Sequence, residues 1–472
     1  MPLTRLPSGK GFSQRHKTHS YPSPYLIQFF NEIPSKHRSP VTFDLIRKDL
    51  LQNSNDSKIP KSLTMKLAIL EATKAFQLSS PVKMMHLNDV FKQDLNIWTS
   101  SPGLPWRDMG YKTKGDIRKD VDAVNRVRWF WHKVKGGSNI DAPDCCAFVR
   151  SHLADYGETK VRAVWGYPAT MTFGEAVFAI PLQRAYEKGK YPIAYGYETA
   201  VGGTNRLVRE CSRFKYKYAL DFKSFDKTVP VELIDAAFNI LLLNIDFMHY
   251  EDYGTADVLK NFRMFEYIKD YFINTPIRLC NGERYRKSSG VASGSYFTQL
   301  IDSIVNYILI VYLCLELNGK LPDYIKVLGD DSIFCTDKLF DLDRADELLQ
   351  KFGMSLNLKK SAVSRSLNKL TFLGYQINDG IPSKPYDLWL SALLYPEEAD
   401  RCWDDVASRS LGLLYACMGT DDRFDGYCRA ILSLKPYSLD TSKGIFRMLR
   451  NVGIKDVSTT PPSKWGFLKR II

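Results

Sequence analysis

"KVLGDDSIFC" (Lys326–Cys335) places two aspartates, Asp330 and Asp331, side by side in a stretch that otherwise reads as buried strand. Gly-Asp is a turn former, so "DYIKVL" and "SIFCT" become the arms of a hairpin. Gly329, Asp330 and Asp331 then fall at or beside its turn. Taken alone the pair says little. Asp404-Asp405 and Asp421-Asp422 are also adjacent aspartates, both in helical patterns. The surroundings must decide.

Upstream, "KYALDF" (217–222) alternates and reads as a strand ending near Asp221. Pro230 opens an apolar helix, "PVELIDAAFNILLLN". "TPIRLCNGERYRK" (275–287) signals a second hairpin turning at Asn281-Gly282. A Gly/Ser loop at 288–295 leads into a long apolar helix to about Leu317. Downstream, "DLDRADELLQKFG" is a helix closed by Gly353, and "KLTFLGYQINDGI" is another hairpin. Over 215–378 this order describes an α+β fold, an antiparallel sheet backed by helices. Residues 40–150 alternate short helices with loops, "KVRAVWGYP" (160–168) is a short basic strand, and from Pro396 the pattern is helical.

The 472 residues are 44% apolar, 25% charged and 13% aromatic, a globular composition. A net charge of +13 suits a polyanionic partner, nucleic acid or an anionic membrane. No apolar run reaches the ~18 residues that span a bilayer. The longest, "IVNYILIVYLCLEL", carries Asn306. The basic, Pro/Ser-rich start has no apolar core and reads as a loose or wrapped extension rather than a secretory signal. Nine cysteines without a Cys-x-x-Cys pair fit a reducing compartment and offer no zinc site. No phosphate-binding G-x-x-x-x-G-K-[ST] loop is present, which argues against a helicase or ATPase of that class.

Asp226 follows Asp221 by five residues. If the "KYALDF" strand lies beside the Asp330 hairpin, Asp221 and Asp330 meet at one sheet edge. Carboxylates crowded there repel unless cations separate them. Oxygen-only donors favour Mg²⁺ or Mn²⁺. Two such ions, about 3.5–4 Å apart, are the usual device for in-line phosphoryl transfer. Asp331 would be a secondary ligand or an outer-shell group.

The order of these motifs resembles the palm of viral RNA-dependent RNA polymerases. "DFKSFD" resembles the first palm motif, "SGVASGSYFTQLIDSIVN" (289–306) the second and "GDD" the third. "FGMSLNLKKS" and "FLGY" resemble the fourth and fifth. "TSSPGLP" (99–105) resembles the template-entrance motif, and "KVR" (160–162) the basic fingers motif. Together they cover residues 99 to 375. Size, "SGSYFTQLIDSIVN" and "GDDSI" are most similar to the polymerases of partitiviruses, with picobirnavirus-like enzymes as near relatives.

The resemblance implies a right hand. It would have a basic extension over 1–40, fingers over 41–215 and 246–285, a palm over 216–245 and 286–378, and a thumb over 379–472. It implies Asp221, Asp330 and Asp331 as ligands of Mg²⁺, with Mn²⁺ as a substitute. Asp226 would face the ribose, whose 2′-OH both donates and accepts. Ser289 and Gly290 begin a flexible loop, with Thr298 and Asn306 further along as nucleotide-binding residues. Gly294, Thr298, Asp302 and Asn306 are spaced by four, as on one helix face. Gly294 and Thr298 stand where the family often has Thr and Asn, a departure. Lys160 and Arg162 would hold the triphosphate, and Lys360 (or Lys359) would be the general acid for pyrophosphate. Ser101, Gly103 and Pro105 would line the template path; Phe372, Leu373 and Gly374 would grip the primer strand.

The expected activity is RNA synthesis from ribonucleoside triphosphates on an RNA template, replicating and transcribing a double-stranded RNA genome. The expected partner is the viral capsid protein, with work inside the virion in the host cytoplasm and no membrane involved. A reverse transcriptase is one alternative, opposed by Asp226 where those enzymes carry a bulky aromatic. A non-enzymatic RNA-binding or encapsidation protein is another. It explains the charge but not the order of the aspartates.

Overall fold

The computed structural model describes residues 3–17, 20–53 and 55–472. Four antiparallel strands form the sheet around the opening stretch, in the order Tyr324–Leu328, Asp331–Thr336, Tyr216–Ala219 and Ala362–Ser364. The first two make the expected hairpin. Leu328 pairs with Asp331, which leaves Gly329 and Asp330 as a two-residue turn, and Gly329 has φ +60°. Glycine takes that angle without the steric cost that a Cβ would bring. Tyr218 stacks on Phe334 at 4.6 Å and on Phe340 at 4.6 Å, which pins neighbouring strands in register.

The helix Thr298–Asn318 packs on this sheet, and the helix Val231–Leu242 packs on that helix in turn. Against the expectation that no apolar run is long enough, Thr298–Asn318 could cross a membrane by length and composition. In the fold, 83% of its most apolar stretch is buried inside the protein. A helix apolar on all sides is what a core centre requires.

A second sheet has five strands, in the order Leu3–Leu6, Arg284–Lys287, Pro276–Arg278, Cys145–Ser151 and Val161–Gly166. Cys145–Ser151 runs parallel to Pro276–Arg278, and the other pairings are antiparallel. Its strand Arg284–Lys287 crosses the 285/286 boundary drawn from the sequence. The C-terminal helices Tyr386–Leu394, Trp403–Cys417, Asp422–Leu434, Gly444–Asn451 and Lys464–Ile471 gather around a separate apolar cluster.

The N-terminal extension is wrapped. Leu3–Leu6 pairs with Arg284–Lys287, and Gly9 N–H donates to the Gly282 carbonyl. Arg107 lies over the Phe12 ring at 5.0 Å. Ser23 N–H then reaches the Leu394 carbonyl, and Leu26 is fully buried in the C-terminal cluster. Lys36–Arg38 returns to pair with Leu153–Asp155. Residues 3–17 and 20–38 thus strap the five-stranded sheet to the C-terminal helices.

Candidate active site

The strand Tyr216–Ala219 lies directly beside Asp331–Thr336, with Tyr218 opposite Phe334. The pairing ends there, and Asp221 follows three residues beyond Tyr218, close enough for its charge to act on Asp330 and Asp331. The backbone of Asp221 is held from the other side. Its N–H donates to Ser361 Oγ at 2.9 Å, and its carbonyl accepts from Asn357 N at 2.7 Å. Lys359 and Lys360 ride on that same exposed turn. Asn306, reaching from the buried helix, donates from Nδ2 to the carbonyls of Gly329 at 3.1 Å and Asp331 at 3.2 Å. The aspartate turn is therefore fixed from beneath.

Four carboxylates crowd this edge. Asp330 reaches solvent but lies deep among neighbouring atoms. Desolvation, then the charges of Asp226 and Asp221, push it up to about 6, against the pull of Arg162. Burial, then Asp330 and Asp221, push Asp331 up to about 7. Lys160 is lowered, by burial first and then by Lys360 and Arg162, while Asp221 draws it back up. Asp221, Asp226, Asp330, Asp331, Lys160, Arg162 and Lys360 thus feel one another across a single site.

Asp226 meets Asp302 carboxyl to carboxyl. Burial raises both above the usual carboxylate range, Asp302 strongly; Asp226 pushes Asp302 up further, while the hydrogen bond from Asp302 draws Asp226 back down. Oδ1 of Asp302 is buried with no donor to serve it. Such a contact needs a shared proton.

The loop before the buried helix closes over this pair. Val291 N–H donates to the Asp226 carbonyl at 2.6 Å, Gly290 N–H to the Val229 carbonyl at 3.0 Å, and Ser289 Oγ to the Asn55 carbonyl at 2.6 Å. Gly290 has φ +73°, and a Cβ there would sit 2.7 Å from the Asp226 carbonyl oxygen. The helix starts at Thr298, so Gly294 lies before it and shares no helix face with Asp302 and Asn306. The four-residue spacing from Gly294 is a coincidence of the loop. Thr298 Oγ1 turns back to the Ala292 carbonyl at 2.7 Å and holds the loop.

Ser101, Gly103 and Pro105 lie on a loop fastened to residues 167–169. Ala169 N–H donates to the Pro102 carbonyl at 2.8 Å, and Gly103 packs against the Tyr167 carbonyl. Phe372 is buried in a small cluster with Ile333 and Leu370, while Leu373 and Gly374 form a tight turn at φ +52° and +80°.

The family model for viral RNA-dependent RNA polymerase matches residues 29–418. The chain belongs to the viral RNA-dependent RNA polymerases. It is 27% identical to the RNA-directed RNA polymerase of Atkinsonella hypoxylon virus over 333 residues, covering 60% of this chain and 49% of that relative. It is 26% identical to that of White clover cryptic virus 1, over 56% of this chain and 47% of the relative. It is 28% identical to that of Cryptosporidium parvum virus 1, over 71% of this chain and 66% of the relative. The chain thus spans about half the length of the first two relatives. These relatives meet the expected likeness to polymerases of partitivirus-like double-stranded RNA viruses.

Three residues of this polymerase-family site are not among the candidates read from the sequence. Asp302 is one; its spacing of four from both Thr298 and Asn306 was the available signal. Lys287 is fully buried and donates from Nζ to the carbonyls of Phe272, Ile273 and Gly290, so it holds the Ser289–Gly290 loop; burial lowers it to about 7. Glu175, also buried, accepts from Ser295 Oγ and from Tyr296 N at 3.2 Å; burial raises it to about 8. Neither lies in a recognisable motif.

Among the described residues no three His, Cys, Asp or Glu side chains form a ready-made metal cluster. The donor chemistry of Asp221, Asp330 and Asp331 nevertheless fits a hard divalent cation. All are carboxylates, and mutual repulsion is part of what raises Asp330 and Asp331.

Proposed function

We propose that the chain joins ribonucleoside triphosphates on an RNA template, as an RNA-directed RNA polymerase serving a double-stranded RNA virus genome. The observation that carries this is that Asp221, Asp226, Asp330 and Asp331 lie close enough to Lys160, Arg162 and Lys360 for their charges to act on one another. A right-hand division into fingers, palm and thumb with the boundaries given above suits the two sheets and the C-terminal helices. Capsid protein is the proposed partner, and the virion interior in the host cytoplasm the proposed place of work.

Asp221, Asp330 and Asp331 would hold Mg²⁺ or Mn²⁺. Such ions, when bound, acidify an attacking hydroxyl and stabilise charge at phosphorus. Lys160 and Arg162 bind and orient the triphosphate. Lys360 gives a proton to the departing pyrophosphate. Asp226 and Asp302 present a carboxyl pair with one donor to the ribose. Asn306 keeps the Gly329–Asp331 backbone in place. Ser101, Gly103 and Pro105 would guide the template, and the Phe372–Gly374 turn the primer strand.

The direct test is incorporation of labelled ribonucleotide and deoxyribonucleotide on an RNA template with Mg²⁺ or Mn²⁺. Ribonucleotide incorporation that needs the cation is expected. Deoxyribonucleotide as the preferred substrate would instead support a reverse transcriptase.

Sugar choice has its own expected result. Asp302→Asn keeps a donor toward Asp226 and retains the ribose preference. Asp302→Ala lowers the ribo-to-deoxyribonucleotide ratio of kcat/KM by about tenfold, the worth of one buried hydrogen bond.

The raised carboxyls also predict a pH-dependent stability. Asp330 and Asp331 titrate higher in the fold than in the unfolded chain. Their contribution in the metal-free protein is therefore complete below the ordinary carboxylate range and is lost as pH rises through about 6 and 7. Above that, Mn²⁺ is expected to raise Tm, and at pH 4 to do little. Melting curves with chelator and with Mn²⁺ across pH check this.

A further inference from the structure

Two buried ionisable side chains, Lys287 and Glu175, fasten opposite ends of the 288–296 loop. Lys287 ends the strand Arg284–Lys287, and its Nζ lies over the Phe272 ring at 5.6 Å. The ammonium has three protons to donate. It gives them to the carbonyls of Phe272, of Ile273 at 2.9 Å and of Gly290 at 3.0 Å. The first two carbonyls close the helix Val258–Ile273, where a cation is favoured. The third belongs to the loop. Glu175 sits within the helix Ala169–Lys188 and accepts from Ser295 Oγ and, at 3.2 Å, from Tyr296 N.

Neither residue is ion-paired among the described residues. An ionisable group taken into a core without a counter-ion is costly. Burial accordingly lowers Lys287 to about 7 and raises Glu175 to about 8. A space that needed only filling would take Met or Leu without that cost. The loop they hold has two further attachments. Gly290 and Val291 donate their N–H groups to the carbonyls of Val229 and Asp226. Ser293 Oγ accepts from Trp165 N at 3.3 Å, on the strand Val161–Gly166 that carries Arg162. The loop therefore runs from the aspartate assigned to the sugar to the strand assigned to the triphosphate, with a buried anchor at each end.

We propose that Lys287 and Glu175 are positioning residues that divide the nucleotide seat between them: Lys287 fixes the Gly290 end of the loop against Asp226, and Glu175 fixes the Ser295 end against the strand of Arg162. This rests on the RNA-polymerase reading and deepens it. Neither side chain reaches the nucleotide. Each acts through the backbone or hydroxyl it holds, so the separation between the sugar contact and the triphosphate contacts is set from inside the core. The two ends are anchored separately, and their losses should separate too. Slack at Gly290 loosens the choice of sugar. Slack at Ser295 loosens the hold on the triphosphate, which ribo- and deoxyribonucleotides share.

The test joins amide hydrogen exchange of the loop, followed by mass spectrometry on the free protein, to incorporation kinetics. Lys287→Met is expected to speed exchange at Gly290 and Val291 about tenfold, leave Tyr296 protected, and lower the ribo-to-deoxyribonucleotide ratio of kcat/KM about fivefold. Glu175→Leu should speed exchange at Tyr296 and raise KM for both nucleotides about tenfold, with kcat within about twofold and the sugar ratio unmoved. Glu175→Gln keeps an acceptor and should recover most of that loss. Ser295→Ala is the milder change at the same end and should raise KM in the same direction, even if Glu175→Leu fails to fold. Variants that speed exchange throughout the protein while KM and the sugar ratio stay put would overturn the proposal and leave both residues as packing. So would variants that move neither exchange nor kinetics. An unaltered chain that never incorporates sinks the polymerase reading instead. Exchange confined to the loop would then still show that Lys287 and Glu175 hold it, and unchanged exchange would remove that too.

Discussion

Asp330→Ala is expected to lower ribonucleotide incorporation by about a thousandfold or more while the protein still folds. The side chain sits on a two-residue turn, outside the paired arms and exposed to solvent. Its removal leaves every strand pairing and the buried helix intact. It also removes a charge that Asp226 and Asp221 repel, so the metal-free variant should melt no lower than the unaltered chain at pH 8. The Mn²⁺-induced rise in Tm should shrink together with activity. If incorporation persisted while that rise vanished, the carboxylate would bind cation without serving the reaction.

Gly294→Ala is the second large effect, and here the fold itself suffers. A Cβ at this position would lie 1.9 Å from the Trp165 carbonyl oxygen and 3.2 Å from Tyr167 N. Both are backbone atoms, so no side chain can swing aside. The 289–297 loop must lift from the end of the strand that carries Arg162, to which it is also tied by Ser293 Oγ accepting from Trp165 N. We expect a loss of about 2–3 kcal/mol of stability and near-complete loss of incorporation. Gly426→Ala is the contrast. It lies inside the helix Asp422–Leu434 with nothing within 4 Å of an added Cβ, and it should gain about 0.5–1 kcal/mol. Urea denaturation of the two variants, followed by circular dichroism, measures the difference.

The aspartate hairpin was legible because its signals are local: alternating apolar arms, a glycine where φ must be positive, and a polar turn. The same holds for the Asn281-Gly282 turn, where Gly282 has φ +91°. Neighbourhood across the sheet was legible only as a condition, that Asp221 and Asp330 meet if their strands are adjacent. Sequence spacing misled where the chain was not yet helical, as with Gly294. It placed Asp302 with Thr298 and Asn306 but gave it no role, because its partner Asp226 is 76 positions away in number and touches it only in space. Buried ionisable residues such as Lys287 and Glu175 were invisible for a related reason. Their role is set by carbonyls and hydroxyls that the fold delivers, and a lone charged residue in sequence ordinarily means a solvated surface.

The N-terminal strap has a consequence for the order of events during synthesis. Leu3 pairs with Lys287, and Ser23 Oγ bonds Asp400. This segment is thus made well before the partners it needs. At about 5–20 residues per second it waits for tens of seconds. A segment with an apolar core would spend that time exposed to aggregation. This one is basic and rich in proline and serine, a composition that stays solvated until its docking surfaces exist. Its makeup suits that delay, since it can dock only after Lys287, Leu394 and Asp400 have been made.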